Sequence, residues 1–202
     1  MKTKTRKLLL LISYLMTCTL VACVSVNQPK QNLVIYDFGL SVSSEKNQTT
    51  TSKILLENPV AADALNHRKI RFRLNYQNPL RVFFYSESRW AAVPSVLLTS
   101  KINQMVNYAQ TPTNCSLRLK IEAFDHVFQS VDDSEGVAQL SALLIEKNTK
   151  KIISSQLITV KTSASSPDAE GGVAAIQYAS EAALEKAIQW GNLVQGKSEL
   201  CD

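Results

Sequence analysis

Few residues of this 202-residue chain are of the types that do chemistry. There are two histidines, His67 and His126, and four cysteines, Cys18, Cys23, Cys115 and Cys201. Catalysis needs a nucleophile, an acid–base pair or a metal converging in a cleft. The sequence has no nucleophile-elbow pattern, no HExxH and no phosphate-binding loop. Asp132, Asp133 and Glu135 could act as paired carboxylates, yet with Ser134 and Gly136 among them they read as a solvated hairpin turn. Gly171 and Gly172 could cradle an anion at a helix start, or serve close packing and a tight helix entry. Cys115, Cys201, His67 and His126 have no metal-ligand spacing. The expectation is a protein with no catalytic residue, no metal and no cofactor beyond any covalent modification.

Cys23 stands apart because of what precedes it. Lys2, Lys4, Arg6 and Lys7 make a positive start, and an apolar run opens at Leu8–Ile12 and continues to Ala22. Ser13, Thr17 and Thr19 interrupt it, and about 15 apolar residues fall short of the roughly 20 that a spanning helix needs. This is the pattern of an export leader. The order Leu20, Val21, Ala22, Cys23 resembles the lipobox of bacterial lipoproteins, in which the cysteine receives diacylglycerol and an N-acyl lipid and becomes the new N-terminus. Cys18 lacks the small preceding residue. By the same resemblance, an aspartate after the lipidated cysteine holds such proteins in the inner membrane. Val24 therefore points to the outer membrane, with the domain facing the periplasm.

The chain divides accordingly into a lipoprotein signal peptide (1–22), a lipidated tether (23–32) and one domain (33–202). The net charge of +5 at pH 7 is a property of the leader: four of the 22 cationic residues and none of the 17 acidic ones lie there. The mature chain is left with 18 against 17, a net +1, which does not argue for nucleic acid. With Cys18 removed and Cys23 acylated, Cys115 and Cys201 remain in a compartment that permits disulfides, and they are expected to pair.

Hydrophobic periodicity supplies the elements. Leu33–Leu40 and Lys53–Glu57 read as strands, and Pro59–Arg68 as ambiguous, with room for one helical turn. Ile70–Tyr76 and Arg81–Ser86 read as a hairpin around Gln77, Asn78 and Pro79. A helix is expected from Pro94 to the breaker Pro112, with Leu98, Ile102, Met105, Val106 and Ala109 at helical spacing. Leu117, Leu119, Ile121 and Ala123 alternate with charged residues, opening a three-strand meander completed by Val137–Glu146 and Ile152–Lys161. Phe124 and Phe128 break that alternation in the manner of a bulge. A last helix of about 20 residues shows Val173, Ile176, Ala179, Ala183, Ala187 and Trp190 on one side, small enough to lie close to a sheet. The predicted fold is a single α/β domain: a mostly antiparallel mixed sheet of six or seven strands with two principal helices packed on it.

Arg89 and Trp90, expected between a strand and a helix, could stack to fix that corner or form a contact for a partner. Phe83, Phe84 and Tyr85 give one strand aromatics on both faces, as plain core or as the lining of a lipid pocket.

Ile35-Tyr36-Asp37-Phe38-Gly39, Arg73-Leu74-Asn75-Tyr76, the run Tyr85 to Pro94, and Gly171 to Ala175 with Trp190 together resemble the ABC-type transport auxiliary lipoprotein family, in order over nearly the whole mature chain. The resemblance implies an accessory part of an ABC or mammalian-cell-entry (MCE) system moving lipid between membranes, with ATPase, permease and MCE-domain protein as separate chains. It implies lipid on Cys23 and no catalytic residue. A periplasmic lipid carrier and a purely structural envelope tether are the competing expectations, and self-association into a homo-oligomer is a further one.

Overall fold

The computed structural model describes residues 32–39, 50–110 and 113–201. Cys23 and its leader lie outside them. The described residues form ten strands: β1 (Val34–Tyr36), β2 (Thr50–Ser52), β3 (Leu55–Leu56), β4 (Val60–Ala61), β5 (Lys69–Leu74), β6 (Phe83–Trp90), β7 (Val106–Tyr108), β8 (Cys115–Phe128), β9 (Ser134–Glu146) and β10 (Ile152–Ser163). Two helices join them, α1 (Pro94–Met105) and α2 (Ala169–Gln195). The main sheet is mixed and eight-stranded, in the order β1-β6-β5-β8-β9-β10 with β3 and β4 also on β8; β2 and β7 pair separately.

The meander β8-β9-β10 is antiparallel throughout, as its alternation predicts. The sheet exceeds the expected six or seven strands because short pieces count separately. On the side of β8 away from β9, the chain runs parallel to it in three successive pieces: Leu55 opposite Ser116, Val60 opposite Lys120, and Arg71 opposite Asp125. Pro59, which cannot donate a ladder hydrogen bond, and a 3-10 turn at Asp63–Leu65 separate these pieces. One line of pairing therefore counts as three strands.

α1 begins at Pro94 as expected but stops at Met105, short of Pro112. Val106–Tyr108 turns extended because Thr50–Ser52 offers it a parallel partner. A distant segment overrides the local helical spacing.

β8 shifts register against β9 between Ile121 and Ala123. Before the shift Leu117, Leu119 and Ile121 face the helices; after it Phe124, His126 and Phe128 do. Asp125 and Val127 are thereby turned to the opposite face.

α2 covers β8, β9 and β10. Its buried stripe of Gly172, Val173, Ala175, Ile176, Ala179, Ala183, Leu184, Ala187 and Ile188 recurs at helical spacing. Asp168 caps its start by accepting a hydrogen bond from the Gly171 N–H at 2.9 Å. At the far end Asn192 donates to the Thr51 carbonyl and accepts from the Lys53 N–H, tying helix to β2. α1 lies beside α2, joined by Lys101–Glu181 at 2.6 Å. Both helices sit on one side of the sheet.

Candidate functional site

Cys115 and Cys201 form the expected disulfide, with Cα atoms 5.1 Å apart and a sequence separation of 86. Both are fully buried. The bridge fastens the segment after α2 to the first residue of β8.

Arg89 and Trp90 are not at a strand-to-helix corner, because β6 continues through Trp90. As neighbours in a strand they point to opposite faces, so the expected pair divides. Trp90 is 1% exposed, with its ring 6.0 Å from Phe38 and 5.2 Å from Phe124. Arg89 lies half-buried and donates to the Tyr85 and Ser88 carbonyls of its own strand. The indole serves the core, and the guanidinium fixes the irregular step where Lys69 pairs with Arg89 but Arg71 with Phe84.

The two histidines also separate. His67 is half-buried against Phe84, accepting the Lys69 N–H through Nδ1. His126 is fully buried beneath the first turn of α2, with Nδ1 2.8 Å from the Tyr85 hydroxyl. Burial lowers its pKa to about 4 against a raising influence from Asp168, so the ring is neutral near pH 7. Burial, followed by the Asp168 charge, pushes the Tyr85 phenol up. His126 Nε2 has no hydrogen-bond partner among the described residues. Phe72, Phe83 and Phe128 complete this aromatic cluster.

Gly171 and Gly172 act by close packing. A Cβ on Gly171 would meet Ser166, and one on Gly172 would meet the His126 ring. Asp132 and Asp133 lie exposed at the β8–β9 turn, as expected, while Glu135 pairs with Lys161 at 2.6 Å. Among the described residues no group of three or more His, Cys, Asp or Glu could hold a metal ion.

The chemistry concentrates instead on the sheet face turned away from the helices. Asp125, carried there by the bulge, has Oδ1 2.8 Å from Arg71 Nε as an ion pair, and its Oδ2 accepts hydrogen bonds from Arg71 Nη2 at 3.3 Å and Arg73 Nε at 2.7 Å. Burial lowers the pKa of Arg71, with Asp125 opposing that fall. Beside this triad is a hollow of about 300 Å³, floored by Ala123, Val127 and Val137 and edged by Arg73, Glu135 and Lys161. Further along β8, Arg118 pairs with Glu57 at 2.7 Å and Lys120 with Glu122 at 3.1 Å. The alternation of Arg71 with Arg73 and of Arg118 with Lys120 is visible in sequence. Their gathering on one face depends on the parallel β5–β8 pairing and the bulge, which it does not announce.

No family model matches this chain, and no curated protein matches it. Solved structures do. A crystal structure of a Xanthomonas campestris protein of the DUF330 family aligns with a TM-score of 0.65 at 17% identity, covering 81% of this chain and 98% of that one. That of an uncharacterized protein aligns with a TM-score of 0.54 at 10% identity, over 81% and 99%. A lipoprotein of Neisseria meningitidis aligns at 15% identity over 60% of this chain and 88% of its own, with a TM-score of 0.28 that carries no argument. The first two likenesses establish a shared fold.

Proposed function

We propose that this chain is a non-catalytic lipoprotein, held in the outer membrane by lipid on Cys23 and facing the periplasm. It serves as an accessory component of an ABC- and MCE-type system that moves lipid or another hydrophobic substrate across the envelope. What carries the reading is a conjunction: Leu20, Val21, Ala22 and Cys23 stand just ahead of a domain whose fold matches a DUF330 protein over 98% of that protein's length. The Cys115–Cys201 bridge fits an oxidising compartment.

Between docking component and lipid carrier, the packing favours docking. A carrier needs room between helix and sheet. Here a Cβ on Gly136 of β9 would come within 2.2 Å of the α2 backbone, and Leu117, Leu119, Leu140 and Leu144 are fully buried. The domain offers surfaces to the MCE-domain protein and the permease.

The test is to extract the full-length chain, expressed with its leader, from envelopes in mild detergent and identify what accompanies it by mass spectrometry. Recovery of an MCE-domain or permease partner without stoichiometric lipid is expected. Stoichiometric lipid with no protein partner would overturn the reading in favour of a carrier.

A further inference from the structure

On the face of the main sheet opposite α1 and α2, cations outnumber acids among the described residues. Lys69 and Arg89 face each other there across β5 and β6, and Arg71 and Arg73 follow along β5. Arg118, Lys120 and Lys161 extend the set across β8 to β10. Five carboxylates oppose these seven cations: Asp125, Glu57, Glu122 and Glu135 in ion pairs, and exposed Glu87, two residues before Arg89 on β6. Seven cations against five acids leave a net +2 on one face of a mature chain whose total is +1.

Depth sharpens it. The side chains of Arg118, Lys120 and Lys161 are 47%, 48% and 56% exposed, whereas Glu57, Glu122, Glu135 and Asp125 are 31%, 28%, 19% and 4% exposed. In the Arg118, Lys120 and Lys161 pairs the carboxylate is recessed and the cation protrudes, whereas Arg71 is buried along with Asp125. An object approaching the face meets positive charge, together with exposed Ile35, Phe84 and Leu157.

We infer that this open face lies against an anionic phospholipid bilayer, the membrane that the Cys23 lipid enters. The inference rests on the lipid-anchor reading above. Charge complementarity is one argument. The length of chain leading to the anchor is the other: nine residues, 24–32, span at most about 30 Å, and six strands at about 4.8 Å spacing make a sheet roughly 24 Å across. A tether of that reach holds the domain close enough to the membrane for this face to meet the headgroups. The recessed Glu57, Glu122 and Glu135 hold their partner cations outward, and the hollow lined by Arg73 and Lys161, together with Asp125 and Glu135, is a recess in this face.

The full-length chain, processed in a bacterium that acylates lipoproteins, is reconstituted into vesicles of phosphatidylcholine alone or of phosphatidylcholine with phosphatidylglycerol. Amine-reactive labelling is then read residue by residue. Lys120 and Lys161 are expected to label on the order of threefold more slowly on the anionic vesicles, with the difference erased by high salt. Lys186, exposed on α2, labels equally on both. Replacing Arg118, Lys120 and Lys161 together by Gln removes only exposed ion pairs, so folding is retained. In that variant the salt-sensitive protection of Lys69 is expected to be lost.

Equal labelling on both vesicle types would overturn the inference. So would protection already present in detergent, which marks self-association, or protection that appears only on adding envelope proteins, which marks an acidic protein partner. The intact mass of the same preparation reports acylation of Cys23 separately. An acylated chain with unprotected lysines defeats this inference alone, and an unacylated chain defeats the anchor reading beneath it.

Discussion

Gly172 lies directly on the imidazole of His126: a Cβ there would stand 2.2 Å from Nδ1. The ring cannot easily yield, since its Nδ1 is held by the Tyr85 hydroxyl and its face by Phe128 at 4.4 Å. Gly172→Ala gains about 1 kcal/mol of helix propensity but overpacks a buried site, a change that costs about 1–3 kcal/mol. A net loss of stability is expected, read as a lower urea midpoint at unchanged slope. Gly136→Ala, whose Cβ would meet α2 backbone rather than a side chain, is expected to lose more.

The same histidine sets an acid limit. Its pKa is about 4 when folded and 6.5 when free, so between those values the unfolded chain binds the proton and the folded chain does not. Stability therefore falls as pH drops from about 6.5 to 4 and loses its dependence on this group below that. The full loss is on the order of 3 kcal/mol. Denaturation midpoints measured from pH 7 to 4 are expected to decline, and the decline is expected to flatten in His126→Phe. Glu146, held at about 2 chiefly by the Thr149 hydroxyl and then by the Asn148 and Thr149 N–H groups, acts in a lower window. Its contribution is lost as pH falls from 4.5 towards 2.

Asp125 balances two arginines, and Arg71 is 8% exposed. Asp125→Ala leaves a buried guanidinium without its carboxylate, a loss of about 3–5 kcal/mol. Arg73→Ala removes the more exposed partner and is expected to cost about 1 kcal/mol. Guanidinium denaturation of both variants checks this order; equal losses would contradict it.

Replacing Cys115 and Cys201 together by Ala opens a loop with a sequence separation of 86. The chain-entropy account gives a loss on the order of 4 kcal/mol. The expected outcome is a markedly lower thermal midpoint, with wild-type protein in reductant approaching the variant.

Much of this was legible in advance, and for physical reasons. β8, β9 and β10 are long and alternate cleanly, and α2 shows a small-residue stripe, so both the meander and its covering helix could be read. Two-residue strands such as Leu55–Leu56 and Val60–Ala61 have no period to detect, and only their pairing with β8 reveals them. The end of α1 is not legible because Val106 fits the helical spacing equally well and its partner Thr50 is far away in sequence. Arg89 and Trp90 belong to the end of β6 and not to the link between strand and helix, since nothing local announces that the strand runs to Trp90. The basic face has no signature in the sequence because strict alternation sends Asp125 to the core side; the shift after Ile121 reverses it.

The covalent bond from Cys115 to Cys201 also determines how the domain bears mechanical load. Tension entering at Leu33 and leaving at Cys201 passes through the sulfur atoms and bypasses everything between them, including β8, β9, β10 and α2. At about 3.5 Å per residue, some 300 Å of chain is withheld from extension. The force falls on the short strands β1 to β7 and on α1, which peel away while the meander and its long helix stay folded as one closed ring.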